Sequence, residues 1–456
     1  MSSIMVAGGS LGGLAVALFA ARAGHDVVLV EADGQAVPAG VEEVWHGWKR
    51  RGVPQFRQLH GTQALGRAIL AERAPEILDR LRAAGAHDVD LLASRPHARL
   101  RPGADELVQF RCRRPVLEWV LRAAVDAEPN VVLRPSVEVT GLLVTARGRP
   151  RVTGVTTTLG ELPADVVVDA TGRRSRVAEW CVRSGTAPPT TCTVDTRQVY
   201  FTQWFRRDTG FTGSDPMLRV ELPFATLLVL PVDAGWLSAT FFAPAHDREL
   251  RALLRNTDGF LHALRSVPPA STWIADARPV GTVQIMGKLA NQLRRLSSRS
   301  PAGLLSVADA AVCTNPTWGR GAALALAHAA ALVDLLDTCE EPAMLAVAST
   351  AWTTENLEPW FHDTVLLDAE TNARWVGAQP VRSPERPFDH MDVVRTARTD
   401  PTVHVAYLRY RNLLDSPAAF WHRTEIIDSV DASAGVPSDS ADLPGREEFL
   451  ARSCPT

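Results

Sequence analysis

Lysine is nearly missing from this chain. Of its 48 basic residues only Lys49 and Lys288 are lysines, so any chemistry that needs an amine has two candidates. Cysteine is sparse and scattered: Cys112, Cys181, Cys192, Cys313, Cys339 and Cys454 form no Cys-x-x-Cys pair. That spacing excludes a zinc ribbon or a disulfide scaffold and suits a reducing cytoplasm. The twelve histidines show no spacing with carboxylates that would build a metal site. No uninterrupted apolar run reaches the roughly 18 residues of a membrane span, and no basic-then-apolar leader precedes the fold. Neither sign of charge dominates: 48 basic residues against 51 acidic give a net charge of −3. A basic field for nucleic acid or anionic lipid is therefore excluded as the main business of the protein.

What is present is an ordinary globular balance, 46% apolar and 22% charged, in 456 residues. At roughly 150 residues per domain that length predicts about three lobes, and no internal repeat divides it. The opening segment reads as one unit. Ile4-Met5-Val6-Ala7 is a short apolar strand, Gly8-Gly9-Ser10-Leu11-Gly12-Gly13 a tight turn, and Leu14 to Ala23 an alanine-rich helix closed by Gly24. Asp26 to Val30 is a second strand, ending in Glu31. Strand, glycine turn, helix, strand and acid form a dinucleotide-binding βαβ unit.

The turn also matches the Gly-x-Ser-x-Gly nucleophile elbow, with Ser10 as the nucleophile. Such an elbow follows several strands of its sheet, whereas Ser10 follows the first strand of the chain. Position therefore favours the nucleotide reading, with backbone N–H groups of Gly8, Gly9, Ser10, Leu11 and Gly13 facing a diphosphate at a helix N-terminus. Glu31, 23 residues past Gly8, stands where a ribose-binding acid belongs.

Further on, helical runs are predicted at 62–84 and 114–127, and strands at 130–145, 151–159 and 165–169. The stretch 197–243 changes texture, with alternation in Leu218-Arg219-Val220-Glu221-Leu222 and an apolar run Leu227–Leu230, and predicts an antiparallel lobe. Parallel texture returns at Gly303–Asp309, followed by a long alanine helix from about Gly321 to Leu336. Residues 346–430 read as helical, and 431–456 as a loose Ser/Asp/Pro/Gly-rich tail.

Three downstream segments resemble one family. Asp169-Ala170-Thr171-Gly172-Arg173-Arg174-Ser175-Arg176-Val177 resembles the Asp-Gly segment of the aromatic-hydroxylase-type FAD-dependent (class A) flavoprotein monooxygenases. Ala308-Asp309-Ala310-Ala311 with Asn315-Pro316-Thr317-Trp318-Gly319-Arg320-Gly321 is similar to their Gly-Asp segment, alanine replacing its first glycine. Arg114-x-x-Leu117, opening a helix, resembles their FAD-approaching arginine. Gly52-Val53-Pro54-Gln55 with His60, and Asp400-Pro401-Thr402-Val403 to Leu413-Leu414, resemble the polyketide and polyether epoxidase branch. The resemblance covers all but about the last 25 residues.

It implies a Rossmann-like α/β FAD-binding domain of glutathione-reductase type over 1–85, 105–190 and 280–345. A mainly antiparallel substrate domain (86–104 and 191–279) is inserted, and a helical C-terminal region (346–430) precedes the tail. Implied FAD contacts are Gly8, Gly9, Ser10, Leu11, Gly13, Glu31, Arg114, Val139, Asp309, Gly319, Gly321 and Ala322. Asp309 suits the ribityl hydroxyls, and Gly319 with Gly321 permits a turn that aims a helix N-terminus at the flavin's pyrimidine edge. Arg173, Arg174 and Arg176 either touch the cofactor or form a solvated face. Lining residues beside flavin and substrate are His60, Tyr200, Trp204, Phe224, Phe241, Phe242, Pro316 and Trp318, each equally placed to be plain core.

The implied activity is insertion of one oxygen atom from dioxygen into a lipophilic aromatic or polyketide-like molecule through a flavin peroxide, by hydroxylation or epoxidation. No catalytic base is named by the sequence. A second glycine fingerprint for a resident nicotinamide domain is missing, so electrons come from transient NADPH or NADH, or from a partner flavin reductase. Three alternatives stand beside this. A flavin-dependent halogenase would resemble this fold but uses a lysine and a Trp-x-Trp-x-Ile-Pro segment, whereas Trp45-His46-Gly47-Trp48 has neither that spacing nor the Ile-Pro. The others are a prenyl-chain reductase and a non-enzymatic FAD-binding protein whose helical tail holds a partner.

Overall fold

A computed structural model of the chain describes residues 2–145, 148–208, 217–379, 383–433 and 443–453. Ten strands carry the two main sheets: β1 (Ser3–Ala7), β2 (Asp26–Glu31), β3 (Val131–Pro135), β4 (Val166–Asp169), β5 (Gln198–Arg206), β6 (Leu218–Leu222), β7 (Ala225–Pro231), β8 (Trp236–Pro244), β9 (Arg278–Met286) and β10 (Leu304–Ser306). The first sheet is parallel, in the order β10-β4-β1-β2-β3. Its central strand Ser3–Ala7 is buried from Ile4 onward, which explains an apolar run without alternation: both faces are covered.

Helix α1 (Leu11–Arg22) is buried at every position from Leu11 to Ala21. Helix α2 (Arg114–Asp126) and the long α3 (Gly321–Thr338) pack against it. A helix apolar all round belongs between layers, and small alanines let α1 and α3 approach closely. By length and composition α3 could cross a membrane, but it is mostly buried inside the protein as a core helix. The expected βαβ unit is therefore present, with Gly24 at φ 90° after the helix and Gly12 and Gly13 inside its first turn.

The second sheet is antiparallel, in the order β6-β7-β8-β5-β9. Register pairs Tyr200 with Phe242 and Phe201 with Phe241, so adjacent phenylalanines on β8 face opposite ways. One face, with Phe201, Phe241, Leu227 and Val229, packs onto three short helices within 248–274. The other, with Tyr200, Thr202, Thr240 and Phe242, turns toward the parallel lobe.

C-terminal helices complete the molecule, among them α4 (Glu358–Trp375), α5 (Pro401–Arg411) and α6 (Arg446–Ser453). Within the stretch expected to be a loose tail, α6 is an ordered helix. Its Phe449 is buried against Phe224 and Phe241, and Arg446 pairs with Asp247 and Glu249. A Ser/Pro/Gly-rich composition describes 431–442 but not the Arg-Glu-Glu-Phe-Leu run after it, whose apolar residues have a core to join.

Candidate functional site

The glycine turn is shaped by contact. Gly8 sits at φ 106°, and a Cβ there would come within 2.6 Å of the Ala170 carbonyl oxygen. A Cβ on Gly13 would come within 1.8 Å of the Gly8 carbonyl oxygen. Only hydrogen fits, and the backbone of the turn is left bare. Helix α1 starts with no side-chain cap and no acid in its first turn, so its N-terminal donors are open to an anion.

Around this turn lies a charged frame that the sequence reading largely missed. Arg114 donates from Nε to Glu118 Oε1 at 2.7 Å and from Nη2 to Ser10 Oγ at 3.0 Å, and that hydroxyl donates to Glu118 Oε1 at 2.8 Å. Arg50 bridges Glu118 (2.9 Å) and Glu31 (2.8 Å). Burial pushes the Glu118 carboxyl up, but Arg114, Arg50 and Ser10 outweigh it and hold it below the usual range. Glu118 follows Arg114 by four residues, the spacing of one helical face, and that was the available signal. Among the described residues Ser10 Oγ bonds Glu118 and Arg114 and no histidine, which does not suit the nucleophile-elbow alternative.

Glu31 is placed differently from expectation. Its Oε2 accepts from the Gly9 N–H at 2.8 Å as well as from Arg50, and its Oε1 accepts from the Asp33 N–H at 2.7 Å. The carboxylate braces the turn and does not line the cleft. Val139 is buried in an apolar cluster with Val30, Val155 and Trp180, and does not line it either.

The cleft itself, about 140 Å³, runs from Ser10, Leu11 and Arg114 past Ala170–Arg174 to Asp309, Gly319, Gly321 and Ala322. Burial pushes the Asp309 carboxyl up, against Arg114, Arg173 and a bond to the Cys313 thiol. Asp169 works locally: Oδ1 accepts from Thr171 and Oδ2 from Ser175 Oγ at 2.5 Å, which folds the Arg173–Ser175 turn. Arg173 and Arg174 line the cleft, whereas Arg176 sits on the surface with Glu138 and Glu179. Helix α3 also begins without a side-chain cap, its first residues Gly321 and Ala322 on the cleft wall. Two uncapped helix starts, a half-buried acid between them and a bare glycine turn fit a long dinucleotide with an anionic middle.

His60 lines the same cleft. Its Nδ1 lies 2.9 Å from the Gln58 carbonyl, which can only accept, so Nδ1 carries the proton and Nε2 is a free acceptor. Burial, with Arg114 nearby, lowers its pKa to about 4.

A larger cavity of about 980 Å³ adjoins this cleft, and Gln58, Leu59, Gly61, Met286, Pro316 and Gly319 belong to both walls. Of the lining residues expected there, Tyr200, Phe242, Pro316 and Trp318 line it. Three expectations are corrected. Phe241 faces away by strand alternation, Phe224 packs on Phe449 behind the sheet, and Trp204 is wedged between Trp45 and Trp236 with Nε1 donating to the Arg57 carbonyl. The polar members of the wall were not foreseen. Arg219 and Glu221 alternate along the edge strand β6, a pattern that ordinarily marks a solvent face, and here that face looks into the cavity.

A buried network ties the wall to the C-terminal helices. Tyr200 Oη and Thr317 Oγ1 are 2.6 Å apart, while Asn315 Nδ2, Trp318 Nε1 and Asn291 Nδ2 all donate to Asp368. Burial raises the Asp368 carboxyl to about 6. Arg320, fully buried, pairs with Asp363 at 2.6 Å and donates to Tyr410 Oη. Asn412, just past α5, accepts from the Ala64 N–H and from Gln109 Nε2.

Residues 3–180 match the FAD dependent oxidoreductase family. Over 408 residues the chain is 27% identical to Protein Rv3254 of Mycobacterium tuberculosis (strain ATCC 25618 / H37Rv), covering 80% of this chain and 82% of that protein. The fold is similar to PqsL, described as a probable FAD-dependent monooxygenase from Pseudomonas aeruginosa, with TM-score 0.58, 18% identity, and 82% of this chain and 98% of that one covered. It is also similar to CmlS, a flavin-dependent halogenase, with TM-score 0.63, 15% identity and coverage of 90% and 76%. At such identities the likeness is one of fold.

Proposed function

We propose that this chain, which matches the FAD dependent oxidoreductase family over residues 3–180 and is similar in fold to PqsL, is a monooxygenase acting on a lipophilic small molecule. One observation carries the reading: the nucleotide cleft and a roomy, mostly apolar cavity share a wall. A cofactor ring at Pro316 and Gly319 would meet whatever the cavity holds.

When bound, FAD supplies the redox chemistry that activates dioxygen. The rest falls to this chain. The turn at Gly8–Gly13 and the start of α1 would hold the diphosphate, with the Arg114 guanidinium beside it. Asp309 would accept from ribityl hydroxyls, and Glu31, through the Gly9 N–H and Arg50, holds the glycine turn in place. The open N-terminus of α3 stabilises negative charge at the flavin's pyrimidine edge with little reorganisation. Leu59, Leu228, Leu230, Phe242 and Met286 exclude water and position the substrate. His60 Nε2 is the neutral acceptor available to a substrate hydroxyl; epoxidation has no need of it. The reductant is NADPH, NADH or a partner flavin reductase, and the free thiols of Cys112, Cys181, Cys192, Cys313 and Cys339 suit work in a reducing cytoplasm. Lysine-based halogenation is disfavoured because Lys49 and Lys288 are exposed and line neither cavity.

The test is isotopic. Purified flavoprotein is supplied with NADH, NADPH or a flavin reductase and a panel of lipophilic aromatic and polyketide compounds under labelled dioxygen. Product carrying one labelled atom supports the proposal, whereas label arriving only from water rejects it.

A further inference from the structure

The cavity wall is rich in arginine, and all but one of these side chains are already engaged. Arg219 and Arg374 each reach Glu221 at 2.6 Å. Burial pushes that carboxyl up, yet the two guanidiniums hold it at about 2, so it stays ionised. Arg395 pairs with Asp392 at 2.6 Å, and Arg398 makes an interaction of its own. Arg411, the last residue of α5, is the exception. Among the described residues it has no carboxylate partner, and its Nη1 is fully buried without an acceptor.

Its guanidinium carbon lies 5.0 Å from the centre of the Trp318 ring, and that of Arg219 lies 5.7 Å from the same ring. Burial, together with the nearby Arg219 and Arg320, pushes Arg411 below the usual arginine range. A half-buried guanidinium whose Nη1 has no acceptor is destabilising, and a partner of opposite charge would offset that. Since Glu221 neutralises only one of its two arginines, the wall holds an excess of positive charge next to apolar residues such as Leu228, Phe242 and Met286.

We infer that the substrate is an amphipathic acid, its apolar body in the cavity and its carboxylate on Arg411 beside Trp318. This rests on reading the cavity as the substrate chamber. A carboxylate matches the planar fork of one free guanidinium. A phosphate dianion suits the place less, because Arg411 ends its helix where the backbone dipole is negative.

The probe is 2-naphthoate, compared with 2-naphthamide and 2-naphthyl phosphate by calorimetry on the flavin-loaded protein. The acid should bind about ten-fold tighter than the amide, and Arg411→Gln should bring the two within about two-fold at unchanged FAD content. Arg411→Lys, which keeps the charge, should retain part of the preference. Equal affinity of acid and amide for the unaltered protein overturns the inference, as does a preference that survives in Arg411→Gln. Tighter binding of the phosphate than of the acid overturns the carboxylate assignment. Should Arg411→Gln not fold, the acid-to-amide ratio in the unaltered protein still decides. Calorimetry does not depend on turnover, so failure to incorporate labelled oxygen would sink the monooxygenase proposal and leave this result standing.

Discussion

The backbone N–H of Ala308 donates to Nδ1 of His328, 3.2 Å away and twenty residues further along the chain. This bond joins the loop before Asp309 to the middle of α3, and it requires a neutral imidazole with a bare Nδ1. His328 is buried to 1% exposure, and that burial lowers its pKa to about 3.

Acid should therefore weaken the fold through His328. Its folded pKa lies below the unfolded value of about 6.5, so its stabilising share is complete above pH 6.5 and is lost as pH falls toward 3. By pH 4 the loss should be about 3 kcal/mol. His328→Gln should flatten the dependence of the urea midpoint on pH between 6.5 and 4; an unchanged slope would contradict the assignment.

Ala308 itself stands at φ 55°, where an L-residue is strained by about 1–2 kcal/mol. Ala308→Gly should stabilise the protein by about 0.5–1 kcal/mol after the entropy of glycine in the unfolded chain is counted. The melting temperature reads this directly, and a fall would refute it.

Asp309 and Glu31 should separate. Asp309→Ala removes a cleft acceptor and should weaken FAD by about ten- to a hundred-fold with apoprotein stability retained. Glu31→Ala also frees the Gly9 N–H and one side of Arg50, so it should lower stability by about 1–3 kcal/mol as well. Fluorescence titration with FAD and apoprotein melting measure the two effects separately, and full FAD retention in both variants would reject the cofactor sites.

Neighbouring phenylalanines should behave in opposite ways. Phe241→Ala hollows the core against Phe260 and Phe449 and should cost about 3–5 kcal/mol. Phe242→Ala opens the chamber, so its main effect should be on KM for the substrate. Identical stability losses with no change in substrate affinity would mean that the register has been misread.

Asp233 anchors the inserted sheet to the start of α2, accepting from the Arg113 N–H at 2.6 Å and its Nε at 2.8 Å, with both side chains buried. Asp233→Ala should cost about 3–5 kcal/mol by leaving Arg113 unpaired over Trp236. Chemical denaturation gives the figure, and a loss below about 1 kcal/mol would show that the pair is dispensable.

The βαβ unit and the antiparallel lobe were legible because strand alternation, glycine turns and apolar runs are local signals. The resemblance pointed to Asp309, Arg114 and the Gly319–Gly321 turn, and the structure brings them to one cleft. The direction of Phe241 was not, since two adjacent apolar residues carry no mark of which one faces a cavity. Arg411 was hidden for another reason: an arginine ending a helix reads as solvated until tertiary packing buries it. Glu31 was singled out as a ribose acid, but its bond to the Gly9 N–H depends on the exact approach of two segments.

Arg411 and Asn412 supply part of the chamber's lining from late in the 456-residue chain. Translation reaches the glycine turn long before Arg411 and Asn412 exist, so a nascent polypeptide has that turn well before its cavity wall is complete. Any fragment ending before α5 would lack that part of the wall.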